Sequence, residues 1–411
     1  MSTLDSIAQA IVDCEHKTAP EGDGYALSVG TRAMKEGRIL LDACKRVSED
    51  TYGKWTRRMR PIAGDLILAR EAPVGQVVRV PDHPLVCLGQ RTVMIRPDPS
   101  VVHPRFLHYW LLGPDAQHSM NSVAAGATIP HLNVADIRSL DVSQMPRDPK
   151  QQTVAADTLG AIDDLIENNR RRVVVLEEMA RAIYREWFVH FRYPGHEDVP
   201  LVDSPLGPIP DGWRVGSVDE LVTLNKETVD PSAVKPSTPA VGLEHIPRRQ
   251  ITLEDWGEAG SLGSRKATFK TGDVLFGKIR PYFHKVSVAP VDGICSTDAL
   301  VLRPCAEQWG QAVLTIASDD FVANAVQTSN GTKMPRADWK VIREFPVAIP
   351  TVEIGRRFSE IAAGLLDHAQ TLMFQARSLA SIRDLLLPKL VTGQIDVSRL
   401  DLDALTEAAS A

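Results

Sequence analysis

Residues 126–137 read GATIPHLNVADI and residues 331–342 read GTKMPRADWKVI. Both open Gly-x-x-x-Pro and close on an Ile. Both then run into a short β-like stretch, RSLDV or REFPV, followed by a proline and a long helical pattern. GDLIL at 64–68 returns as GDVLF at 272–276, 208 residues further on, and TVMIRP at 92–97 returns as ALVLRP at 299–304, 207 residues on. The opening motif repeats after 205 residues, and Leu176 matches Leu379 after 203. Ordered matches at a slowly drifting offset are what an internal duplication with small loop insertions and deletions leaves behind.

Each half has a β-rich part and a helical part. DLILA, GQVVRV, RTVMIRP, DVLFGKI, KVSVAP and ALVLRP are short apolar runs bounded by Gly, Pro and Asp, the pattern of strands. From about Val154 to His190, heptad stepping places Leu159, Ile166, Val173, Ala180 and Trp187 on one seam position, and Ile162, Asn169, Leu176, Ile183 and His190 on another. From about Ile354 to Leu387 the seam is Phe358, Leu365, Leu372, Leu379 and Leu386, with Ile361, His368, Gln375 and Ile382. Heptad stripes sustained this long, at matching places in a repeat, are expected to pack on each other. The polar seam residues Asn169, His368 and Gln375 either fix register or mark a frayed, partner-facing stretch.

The divisions expected are a β-rich module over 1–150, a long helix over 151–191, a Pro/Gly/Asp-rich linker over 192–214, a second β-rich module over 215–352, a second long helix over 353–392 and a tail over 393–411. The tail, DVSRLDLDALTEAASA after Ile395, suggests a short frayed helix.

A chain of 411 residues, 44% hydrophobic and 24% charged, has the composition of a soluble globular protein of two or three domains. It holds no eighteen-residue apolar run, and MSTLDSIAQAIVDCEHK is not patterned as a secretory signal. Five cysteines, none spaced C-x-x-C, read as reduced thiols of a cytoplasmic protein and argue against a cysteine zinc site. The net charge of −6 does not advertise nucleic-acid binding, but local patches are what meet phosphate. Basic residues cluster at Lys54, Arg57, Arg58 and Arg60, and again at Arg265, Lys266, Lys270, Lys278, Arg280 and Lys285.

Motifs for catalysis are incomplete. Gly272 to Lys278 spells G-x-x-x-x-G-K, but Ile279 stands where a phosphate-binding loop needs Ser or Thr, and the intervening Val-Leu-Phe reads as a strand. Asp98 and Asp148-Pro149-Lys150 only faintly suggest a nuclease set. No G-x-G-x-x-G follows a strand, and no Asp/Asn-Pro-Pro-aromatic motif is present. Asp13-Cys14-Glu15-His16-Lys17 offers ligand types without ligand spacing. Two β-rich modules on two long helices have the anatomy of a binder with a spacer.

VDCEHKTAP, YGKWTRRMRPIAGDLILAREAPVG, IDDLIENNRRRVVVLEEMARAIYREWFVHF, LGPIPDGWRV, GDVLFGKIRPYFHK and IRDLLLPKLVTGQID, together with GATIPHLNVADI, resemble the DNA-specificity subunit of type I restriction–modification systems, from about residue 5 to 397. The resemblance implies an α+β architecture: two β-rich target recognition domains in tandem repeat, joined by two long helices forming an antiparallel coiled coil. It implies that each domain reads one half of a bipartite site in double-stranded DNA. It further implies two methyltransferase subunits docked on the helices and motor-nuclease restriction subunits joining them. The chain itself would be non-catalytic and without cofactor, S-adenosylmethionine, ATP and magnesium being bound by the partners. Two other readings remain: a specificity chain of a methyltransferase-based defence system lacking the type I nuclease, and a nucleotide enzyme using Gly272–Lys278.

Within that resemblance, Lys54, Arg57, Arg58, Arg60 and Arg70 of the first module, and Lys266, Lys270, Lys278, Arg280, Lys285 and Lys333 of the second, are the candidate DNA contacts. Phosphate contacts position a protein while base contacts specify. The differing residues of the doubled motif, Thr128, His131 and Asn133 against Lys333, Arg336 and Asp338, either meet DNA or face solvent.

Overall fold

The structure, a computed structural model, describes residues 2–124, 130–331 and 333–395. Thr128 and the expected tail helix beyond Ile395 lie outside the described residues. The chain divides into two compact units, Met1–Asp164 with Leu379–Ala411, and Leu165–Ser378.

The duplication is visible strand by strand. In the first unit a four-stranded antiparallel sheet runs in the order Ala8–Asp13, Thr92–Pro97, Leu66–Ala69, Val77–Arg79. In the second unit the order is Val222–Asn225, Ala299–Pro304, Val274–Gly277, Val286–Val288. The registers agree: Leu66 faces Ile95 and Val274 faces Leu302. Each unit also has a second sheet containing a parallel pair, three-stranded with Ala26–Val29 beside Val86–Leu88 in the first unit and five-stranded with Pro239–Val241 beside Gly293–Cys295 in the second.

The repeated Gly-Asp explains itself here. Gly64 and Gly272 take positive φ of 91° and 85°, which turns the chain into the strand. The buried Asp65 accepts a fork from Arg96, Nε–H to Oδ1 at 2.9 Å and Nη2–H to Oδ2 at 2.7 Å, and also the Ile62 N–H at 2.9 Å. The buried Asp273 accepts the same fork from Arg303 at 2.9 and 2.8 Å, and the Lys270 N–H at 2.8 Å. The Arg of the repeated Arg-Pro pair therefore serves the Asp of the repeated Gly-Asp pair, twice.

Each module also holds a pair of helices that periodicity did not reveal, Pro104–Leu112 with Pro114–Ala124, and Trp309–Ile316 with Asp319–Gln327. RFLHYWLL and QAVLTI are buried almost all round, so they show no polar face to give a helical period.

The first long helix runs Pro149–Tyr184, earlier than expected, and continues as a π-helical turn over Arg185–Val189. The second runs Val352–Val391. Leu159, Ile166, Val173, Ala180 and Trp187 are all buried, as heptad stepping required. The second helix corrects the expectation. Ile361, His368, Gln375 and Ile382 are exposed, and the buried companions of Phe358 and Leu372 are Ala362, Ala369 and Ala376, one position later. Within the second unit the helices run antiparallel: Val173 packs with Ala369, Leu372 and Met373, while Trp187 meets Phe358 further along, at 5.5 Å between ring centroids. Asn169 is the buried polar seam residue, its amide 3.5 Å from Gln375.

Residues 192–214 are not the loose linker that their Pro and Gly content suggested. Tyr193, Ile209 and Trp213 are buried in the core of the second unit, with Trp213 beside Tyr193 and Phe188 at 5.4 and 5.6 Å. In the first unit, Leu390 and Val391 of the second helix pack into the module core beside Leu159. There Asp163 accepts from Tyr109 at 2.6 Å and from Arg383 at 3.1 Å.

Candidate nucleic-acid interface

The doubled motif is an edge component of each module. In the first, the Leu132 N–H donates to the Arg70 carbonyl at 3.1 Å, and the Arg70 N–H to the Arg91 carbonyl at 2.9 Å. In the second, the Ala337 N–H donates to the Lys278 carbonyl at 2.9 Å, and the Lys278 N–H to the Asp298 carbonyl at 3.0 Å. Three segments are thus locked together identically in both modules: the end of the Gly-Asp strand, the turn before the Arg-Pro strand, and the doubled motif. The closing Ile137 and Ile342 are both buried. Asn133 and Asp338 are N-caps of short helices, Val134–Arg138 and Trp339–Ile342. Capping satisfies helical N–H groups and fixes these two side chains away from a free reading role. His131 and Arg336 flank the same edge; Arg336 pairs through its backbone with Ile279 and Asn330.

The expected DNA contacts are placed very unequally. Lys54 and Arg60 are exposed in the first module, as is Lys333 in the second. Arg57 is exposed but forks onto Glu15, at 3.1 and 2.9 Å, and Arg58 donates to the carbonyls of Asp13 and Cys14. Arg70 is largely buried and bonds the Leu132 carbonyl at 2.8 Å and Asp13 at 3.0 Å. In the second module Lys266 bonds Ser264 and Lys270 pairs with Asp292 at 2.8 Å. Lys285 donates to the Leu243 carbonyl, and burial beside Arg248 holds its ammonium below the usual lysine range. Lys278 and Arg280 are half-buried. Arg280 sits at φ 50°, with its Nε buried and unbonded.

Two tempting sites are filled by structure. Val274–Gly277 is a buried strand paired on both sides, so the Gly272–Lys278 string has no free backbone to cradle a phosphate. Asp13, Cys14 and His16 bring ligand atoms within 4.8 Å of one another. Asp13 is already engaged by Arg70, by the Cys14 N–H at 2.9 Å and by His16 at 2.8 Å, and the guanidinium opposes a cation there.

Cations that sequence clustering did not single out lie beside the first module's locked turn. Arg32 and Lys45 are exposed, and with Ser28, Thr31, Gln90 and Arg91 they line a cleft of about 460 Å³. They are scattered along the chain and converge only through the three-stranded sheet in which Ala26–Val29 pairs with Lys45–Val47 and Val86–Leu88, so no run of basic residues marks them.

A tandem-duplicated α+β scaffold, two modules on two long helices, is the class that these features define. The chain is 22% identical over 365 residues to the MjaIX type I restriction enzyme specificity subunit of Methanocaldococcus jannaschii, spanning 87% of this chain and 83% of that one. It is 26% identical over 345 residues to the EcoDI type I restriction enzyme specificity subunit of Escherichia coli, spanning 74% and 73%. Its fold matches the crystal structure of the type I restriction-modification S subunit from M. genitalium with a TM-score of 0.55 and 16% identity, over 95% of both chains. No family model matches the chain. The chain is a homologue of type I specificity subunits and shares their fold. Among the described residues, no helix is long and apolar enough to cross a membrane.

Proposed function

We propose that this protein is the sequence-specific DNA-binding subunit of a type I restriction–modification complex, each module reading one half of a bipartite site. The observation that carries this is the locked edge: identical backbone bonds in both modules, presenting different side chains. One scaffold used twice with different surfaces suits one task performed on two half-sequences. The chain supplies recognition, and chemistry belongs to its partners. S-adenosylmethionine, ATP and magnesium are partner ligands in this reading, and the complex works in the cytoplasm.

The long helices supply the spacer and the dock. A helix of 36 residues is about 54 Å long, against ~34 Å for one turn of DNA. Val174, Val175 and Met179 are exposed on the first helix, away from its buried stripe. Apolar surface of that kind favours a protein partner, here the methyltransferase. Exposed Lys54, Arg60 and Lys333 fit phosphate contacts, which set affinity and salt dependence without reading sequence.

The test is methylome sequencing of a host expressing this chain with its methyltransferase. A split motif carrying N6-methyladenine in both halves is expected. A continuous motif, or a purified pair that fails to retard DNA, refutes the reading.

A further inference from the structure

The turn Gly89-Gln90-Arg91 leads from Val86–Leu88 into Thr92–Pro97, and Ser296-Thr297-Asp298 leads from Gly293–Cys295 into Ala299–Pro304. We propose that Gln90-Arg91 and Thr297-Asp298 are the corresponding base-reading tips of the two modules. The inference rests on the function proposed above and assigns the side chains that would carry its specificity.

Position comes first. The carbonyls of Arg91 and Asp298 accept the equivalent strand N–H groups, from Arg70 at 2.9 Å and Lys278 at 3.0 Å, so the two tips have equivalent anchors. A Cβ on Gly89 would meet the Gly30 backbone nitrogen at 2.5 Å, so the first turn is pressed against the chain leaving the parallel strand. What remains outward is the side chains: Gln90, Arg91 and Thr297 are exposed and Asp298 half-exposed. Arg91 Nε lies 3.2 Å from Glu71 and Asp298 lies 3.8 Å from Arg336, surface ion pairs that a base edge would exchange for its own bonds. Arg91 is held at φ 70°, a conformation non-glycine residues adopt at a cost and one that clusters at functional loops. The Gln90 amide is oriented by the Thr18 hydroxyl at 3.1 Å and the His16 carbonyl at 3.4 Å.

Chemistry comes second. Gln and Arg pair bidentately with adenine and guanine edges, whereas Asp accepts from cytosine and Thr serves either role. A turn that only gripped phosphate would not carry Asp298 at the place where its counterpart carries Arg91, because a carboxylate repels phosphate. Opposite chemistries on equivalently anchored turns fit two different half-sequences. The cleft beside the first tip, with Arg32 and Lys45, gives a polar surface along which a duplex edge can lie.

The experiment uses the full chain with its methyltransferase, read by methylome sequencing and by binding to duplexes varied one base at a time. Variants are Q90T/R91D, T297Q/D298R and, as a mild exposed change, Gln90→Ala. Each double variant is expected to change the bases accepted at one or two positions of one half only. Methylation of the original half-site should fall by about tenfold or more, with the other half unchanged. The single variant relaxes one position. Wild-type preference in both halves overturns the inference, and so does weakening that is uniform over all sequences, which marks the turns as structural or phosphate-gripping. A wild-type chain that yields no split motif refutes the proposed function itself, a separate outcome.

Discussion

Asp65 is the most informative single residue to remove. It is 2% exposed and accepts three bonds, two from Arg96 and one from the Ile62 N–H. The Arg96 side chain is only 19% exposed. In Asp65→Ala the guanidinium stays largely buried without its carboxylate, keeping only the Arg60 carbonyl at 2.8 Å, and an amide loses its acceptor. Breaking a buried pair from one side costs about 3–5 kcal/mol. The counterpart Asp273→Ala leaves Arg303, whose side chain is 47% exposed and free to rehydrate. Its cost falls toward the orphaned Lys270 N–H, about 1–3 kcal/mol. The double replacement D65L/R96M removes both charges and should recover most of the loss, leaving the Ile62 amide unsatisfied. Urea denaturation of the four proteins, followed by circular dichroism, reads these differences as shifts in midpoint at constant slope. An Asp65→Ala loss no larger than that of Asp273→Ala refutes the reasoning, as does a double replacement as damaging as the single one.

Other outcomes follow from the same contacts. Glu177 is buried and accepts from the Ile251 N–H at 3.0 Å and the Thr252 N–H and hydroxyl at 2.8 and 2.9 Å. Glu177→Ala should therefore cost about 3 kcal/mol in denaturant titration, and Glu177→Gln clearly less. Ala369→Leu should overpack the helix seam by about 1–3 kcal/mol, while Gln375→Ala should stay within about 0.5 kcal/mol; the reverse order would restore the seam first expected. Burial drives the His108 pKa down from 6.5 to about 3, with Arg79, Arg105 and Arg383 adding to the effect. The folded chain thus keeps His108 neutral where the unfolded chain binds a proton, and stability is lost as pH falls from about 6.5 toward 3. A His108→Leu variant should show a shallower decline over that window, and an identical decline in both proteins refutes the assignment.

The duplication was legible because its markers are rigid. Gly at positive φ, Asp before a strand and Arg before Pro are needed wherever this backbone turns this way, so they survive in both copies. The leucine and isoleucine stripes were legible for a similar reason, since large apolar residues reveal a period. The alanines at 362, 369 and 376 were not, because alanine is at home both in a seam and on a surface. The neighbouring Ile361 and Ile382, exposed in the structure, drew the stripe one position off. Residues 192–214 were misread for a different cause: Tyr193, Ile209 and Trp213 anchor an irregular stretch without any period, and pattern reading sees only the Pro and Gly between them.

Charge was the least legible property. A basic residue in sequence is an unpaired cation, but in the fold Arg57, Arg70, Lys270, Arg96 and Arg303 each meet a carboxylate. Acidic residues outnumber basic ones in this chain, 52 to 46, so pairing within a module is readily available to most cations. What distinguishes a phosphate-gripping cation is then the absence of a carboxylate where the fold puts it, and that depends on strand topology. Among the described residues Arg32 and Lys45 have no ion-pair partner, and they come together because Ala26–Val29 lies between Lys45–Val47 and Val86–Leu88 in one sheet. A salt titration separates the two kinds of cation. Arg32→Ala or Lys45→Ala should reduce the slope of log affinity against log salt by about 0.9 each, whereas Arg57→Ala, which frees Glu15, should weaken binding without that unit change in slope. Equal slopes for all three variants would mean that intramolecular pairing does not decide which cations reach DNA.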